Sequence, residues 1–154
     1  MKKRLVSRRE IGIEIFELEN GNALVEARLL DTVHLISIDL EVNPNTRLIV
    51  DARCEIPNSP YKICPNVCSK AKELIGVIIQ KGVMKEIAKK VGGSEGCIHL
   101  RELTSEAANF CATALIGYKE GFGLINPDFN KLSEDERFDI TKELLKGTCY
   151  PYSR

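Results

Sequence analysis

The sequence predicts an α+β domain: an N-terminal antiparallel β-meander with C-terminal helices packed on one face of it. Three observations predict it. Residues 11–54 hold runs in which apolar and polar residues alternate, the period of a half-buried strand. From about Asn66 the apolar spacing changes to three and four, the period of a helix. The breaker-rich stretch Pro57-Asn58-Ser59-Pro60 separates the two regimes.

The first strand is residues 11–18, Ile-Gly-Ile-Glu-Ile-Phe-Glu-Leu, which mostly alternate apolar and polar. Asn20-Gly21-Asn22 supplies residues that tolerate positive φ, a hairpin signal. Residues 23–30 return as the second strand, with a helix as the alternative. The third strand spans 33–42: Ile36, Ile38, Leu40 and Val42 alternate with Ser37, Asp39 and Glu41, so one face is buried. Asn43-Pro44-Asn45-Thr46 is turn chemistry, and residues 47–54 form the fourth strand.

The first helix begins near Asn66 with Val67, Ala71, Leu74, Ile75 and Ile78 on its buried stripe, and Gly82 ends it. A second helix, about 83–91, stops at Gly92-Gly93. The third, about 97–118, buries Leu100, Leu103, Ala107, Phe110, Cys111, Ala114 and Leu115, and Gly121-Phe122-Gly123 breaks it. Ser133 and Glu136 match a capping box that opens a last helix, about 134–146, closed by Gly147. The tail 148–154 is irregular. The expected organisation is one domain, 1–154, divided into a meander (8–56), a helical part (60–147) and the tail, with no internal repeat.

A chain of 154 residues is long enough to bury a substantial core without staples. Twenty-two basic residues balance 22 acidic ones, which gives no support for a nucleic-acid partner. The basic start around Lys2, Lys3 and Arg4 reads as a solvated lead into the first strand. No apolar run approaches the ~20 residues of a membrane helix, and no apolar region follows the basic N-terminus as in a signal peptide. Six cysteines without an export signal point to a reducing, cytoplasmic setting, where metal binding, catalysis or burial is expected before disulfides.

The densest chemistry is Gly92-Gly93-Ser94-Glu95-Gly96-Cys97-Ile98-His99, where a glycine-rich turn delivers a cysteine and a histidine to a helix start. A helix N-terminus favours the thiolate form of such a cysteine. Cys64 and Cys68, four residues apart at a loop-to-helix boundary, are spaced to face one ion. The alternatives are packing for Cys68 and Cys97 and a capping role for His99. Asp31 reads as a turn residue and His34 as a structural histidine, and each is also a substitute metal ligand. Cys111 falls on the buried stripe, while Cys54 and Cys149 have no partner that spacing can name. Phosphate-loop, nucleophile-elbow and His-Glu-x-x-His signatures are absent.

Asp31 and His34, Cys64-Pro65, and the string Gly96-Cys97-Ile98-His99-Leu100-Arg101-Glu102-Leu103 resemble the bacterial domain-of-unknown-function 2889 family over roughly residues 8–110. That resemblance implies relationship but no activity. A more distant one is to the U-type iron–sulfur cluster scaffolds, an antiparallel meander followed by helices with ligands at three loops. Asp31 resembles their Cys-Gly-Asp aspartate without its cysteine, Ser59 or Cys64 their second ligand position, and Cys97 their third.

The function expected from these readings is a small cytosolic protein that holds zinc or an iron–sulfur cluster. Its ligands are drawn from Cys64, Cys68, Cys97, His99, Asp31 and His34. Its partners would be another protein or a second copy, with neither nucleic acid nor membrane. The alternatives are a non-catalytic interaction subunit with core cysteines and a thiol enzyme with Cys97 as nucleophile and His34 or His99 as base.

Overall fold

The computed structural model describes residues 1–121 and 126–153. Strands β1 (Arg9–Glu17), β2 (Ala23–Asp31), β3 (Leu35–Val42) and β4 (Ile49–Asn58) form one antiparallel sheet in the order β1-β2-β3-β4. The meander expected from alternation is therefore present, and helices follow it in the chain. The first hairpin turns where Asn20-Gly21-Asn22 predicted, with the Leu18 amide donating to the Asn22 carbonyl at 2.8 Å.

Register places one apolar set on one side of the sheet. Val25 pairs with Leu40, Ala27 with Ile38 and Leu29 with Ile36, and all six are excluded from solvent. The other side carries Arg28, Glu26, Asp39, Asp51 and Arg53, which are exposed or half-buried. One face is thus core and the other solvated, as the period-2 pattern requires.

The chain divides into two compact units, Met1–Cys111 and Ala112–Arg154, where the sequence reading drew one domain. In the first unit the strands are followed by a 3-10 segment (Cys64–Leu74), helix α1 (Val83–Val91) and helix α2 (Ile98–Ala114), which begins in this unit. The α-helix expected from Asn66 to Gly82 does not form. After Leu74 the chain is extended: Gly76 donates to Ile49 and accepts a positive φ of 90°, while the Ile49 amide donates to Val77. The stretch bridges through Ile78 to Leu48, just ahead of β4, so helical spacing no longer sets its burial. Val77 and Ile79 are buried, and Ile75 and Ile78, expected inside, are 42% and 40% exposed. Gly82 does not end a helix but stands at the N-cap of α1.

On α2 the expected stripe is buried at Leu100, Leu103, Ala107, Cys111 and Ala114. Phe110 is the exception at 42% exposed: it lies at the edge of the stripe, about 100° round the helix from Cys111. Of the expected break Gly121-Phe122-Gly123, the last two positions lie outside the described residues.

In the second unit, α3 (Glu134–Thr141) opens with the predicted capping box. Ser133 Oγ accepts from the Glu136 amide at 3.3 Å, and Glu136 Oε2 accepts from the Ser133 amide at 2.8 Å. This helix ends at Thr141, short of 146. The tail is not wholly irregular, because Tyr150–Tyr152 makes a 3-10 turn. Tyr152 stacks on Phe138 at 5.4 Å, and its hydroxyl lies 2.9 Å from Thr141 Oγ1. No helix among the described residues is long and apolar enough to cross a membrane.

Candidate functional site

The first unit brings Arg9, Asp31, His34, His99 and Glu102 into one cluster. Asp31 is the last residue of β2, and its side chain builds the turn into β3. Its Oδ1 accepts from the Val33 amide at 3.0 Å and the His34 amide at 2.9 Å. This is the short-range capture of amides for which aspartate is favoured in turns. It also explains why β3 starts at Leu35 and not at Val33, since Val33 and His34 are spent on the turn.

The same Oδ1 lies 3.0 Å from His34 Nδ1. Its other oxygen, Oδ2, accepts from Arg9 Nε at 3.0 Å and Nη2 at 2.7 Å. Arg9 reaches further, from Nη1 to Glu102 Oε2 on α2 at 3.1 Å. Five donors therefore converge on one carboxylate. They hold the Asp31 carboxyl far below its usual range, the Val33 amide first and the Arg9 guanidinium second. An anionic acceptor requires His34 Nδ1 to carry the hydrogen, which makes Nε2 the lone-pair nitrogen of the neutral ring.

His99 comes from the first turn of α2, and its ring centroid is 4.1 Å from that of His34 with the planes tilted by 41°. Burial lowers the His99 pKa, and the charges of His34 and Arg9 lower it further.

The glycine-rich turn positions this histidine by close backbone approach. The Cys97 amide donates to the Val91 carbonyl at 2.9 Å, folding the turn back onto the end of α1. A Cβ at Gly92 would sit 2.6 Å from the Ala88 oxygen, and one at Gly96 would press still closer on the oxygens of Val91 and Gly92. Glycine is needed here for space. Cys97 is half-buried just before α2, where its carbonyl accepts from the Arg101 amide at 2.9 Å.

The sequence-predicted ligands are thus divided. Asp31, His34 and His99 are together. Cys68 is not paired with Cys64 but bonded to Cys54 on β4, a pairing that spacing could not name because it depends on the sheet. The sequence reading ranked metal binding, catalysis or burial ahead of disulfides, and this pair departs from that ranking while Cys64, Cys97, Cys111 and Cys149 stay free. Cys64 is a free, half-buried thiol. Cys111 is the core residue its stripe predicted, with burial pushing its thiol up to about 11. Cys149 is exposed. Among the described residues no three His, Cys, Asp or Glu side chains gather as a metal site. The sequence reading missed Arg9 and Glu102. Their signal was opposite charge, but only the fold brings residues 93 positions apart to 3.1 Å.

No curated protein and no solved structure matches the chain. Residues 7–113 match the family described as protein of unknown function, DUF2889, a span that contains β1 to β4, α1, nearly all of α2 and the whole His34–His99 cluster. The chain belongs to the DUF2889 family.

Proposed function

We propose that this chain is an acid–base catalyst, or a domain of one, with His34 as the base and Asp31 as its orienting carboxylate. One observation carries the reading: His34 Nδ1 lies 3.0 Å from a carboxylate that Arg9 and two backbone amides also hold. A carboxylate so placed orients the imidazole and stabilises the imidazolium that forms when Nε2 takes a proton. His99 stands against His34 as a second proton-transfer group, kept toward its neutral form by burial. An open surface depression lined by Arg8, Glu10, Leu30, Asp31 and Thr32 adjoins the carboxylate, and neither histidine lines it.

The test is acylation by diethyl pyrocarbonate, which attacks accessible neutral imidazoles. Both histidines of the folded chain should react at neutral pH, and His34→Gln should leave only His99 modified. A His34 that resists the reagent when folded and yields only after denaturation would remove it as a base.

Zinc at the imidazole pair is the second reading. Asp31 would then be the outer partner that orients a ligating histidine, an arrangement common around zinc. The donor set favours proton transfer, because among the described residues no third side-chain ligand is gathered there and zinc sites generally use three or four. An iron–sulfur cluster, the chemistry of the scaffold likeness, is less favoured by the donor set, because Cys68 stands beside Cys54 on β4 and Asp31 is already held by five donors. Equilibrium dialysis decides between the two readings. Stoichiometric zinc that is lost in His99→Gln favours the metal, and zinc at background removes it.

A further inference from the structure

Cys54 on β4 and Cys68 in the 3-10 segment have Cα atoms 4.9 Å apart and bonded sulfurs, within the span a disulfide bridges. Both are half-buried, so reagents in solution reach their surroundings. The bond ties down a weakly anchored stretch of the first unit. From Ser59 to Lys70 no residue is buried, and Tyr61 and Ile63 are 69% and 72% exposed. Its hydrogen bonds are local, such as the Cys64 amide to Tyr61 and the Asn66 amide to Ile63. Full burial resumes at Ala71, with the Lys72–Asp51 ion pair and the burial of Leu74 following.

We propose that Cys54 and Cys68 are a redox-active dithiol that exchanges with small-molecule disulfides and, when oxidised, docks residues 59–70 against β4. One cysteine thiolate attacks a sulfur of the small disulfide, giving a mixed disulfide and releasing one small thiolate. The second cysteine thiolate attacks the protein sulfur of that mixed disulfide, closing Cys54–Cys68 and releasing the other small thiolate. The dithiol loses two electrons and two protons. The small disulfide takes up the electrons and leaves as two thiols. Excess thiol runs the sequence backwards.

The experiment places the full chain in reduced and oxidised glutathione at graded ratios, alkylates it with iodoacetamide and maps the peptides. In parallel, the same samples meet a brief pulse of trypsin, which cleaves after Lys62. Oxidation should produce the Cys54–Cys68 cross-linked peptide reversibly and slow cleavage at Lys62 several-fold, because an undocked stretch opens more often. Cys54→Ser and Cys68→Ser should each cleave at the reduced rate in every buffer, while Cys64→Ser should keep the response. Alkylation of both cysteines at every ratio would overturn the proposal, as would a cross-link that leaves Lys62 cleavage unchanged. Loss of the response in Cys64→Ser would overturn the pairing.

Discussion

His34 and His99 lie ring against ring, 4.1 Å between centroids, one from the turn after β2 and the other from the first turn of α2. Burial resists a charge on His99, and the imidazole of His34 beside it adds to that resistance. The folded His99 therefore has a lowered pKa, while in the unfolded chain it titrates near the ordinary ~6.5. The stability tied to its neutral form is complete above the unfolded value. It is lost as pH falls through that value toward the lower folded one. Asp31, whose pKa is also lowered, keeps its contribution until pH drops below the unfolded carboxylate range of ~3.9. Urea titrations at about pH 7.5 and 5.5 should show a loss of stability that His99→Gln removes, with the Asp31 decline below about pH 4 left in place.

Gly96→Ala tests the turn that carries His99. The added methyl has no room between the carbonyls of Val91 and Gly92, so the backbone must shift. The expected cost is about 1–3 kcal/mol, the range for forcing atoms into a packed site. Chemical denaturation reads it, and the shift should also separate the two histidine rings.

Leu103 and Phe110 sit on the same helix with opposite exposure, 0% against 42%. Leu103→Ala should cost about 2–5 kcal/mol through lost burial and a cavity. Phe110→Ala should stay within about 1 kcal/mol, because a half-exposed ring leaves no enclosed void. Equal losses in paired urea titrations would contradict the placement of α2.

Ser133→Ala removes the oxygen that accepts the Glu136 amide at the start of α3. Losing such a cap costs about 1 kcal/mol. Hydrogen exchange should quicken over residues 134–141, with the sheet amides of β2 and β3 unaffected.

Local signals placed the strands, α1, α2 and the Ser133–Glu136 cap, although a helix stayed open for β2 and β4 runs on to Asn58, into the expected breaker loop. In each, a local rule and the tertiary environment ask for the same residues. Val25, Ile38 and Leu103 are where apolar side chains recur at the period of their own element. The reading failed after Leu74, where spacings of three and four looked helical. There, hydrogen bonds to Arg47 and Ile49, which lie far back in the sequence, hold the chain extended.

Half of the candidate site was legible. Asp31, His34, Cys97 and His99 stood out by residue type and by the turns that hold them. Which of them meet was not, because meeting depends on register and on where α2 lands. Tertiary structure alone joined His34 to His99, brought Arg9 and Glu102 in around Asp31, and paired Cys68 with Cys54. Hydrophobic periodicity acts over one or two turns of chain and is written in sequence. Convergence of polar groups acts across elements, and their apposition comes only when the apolar faces have packed.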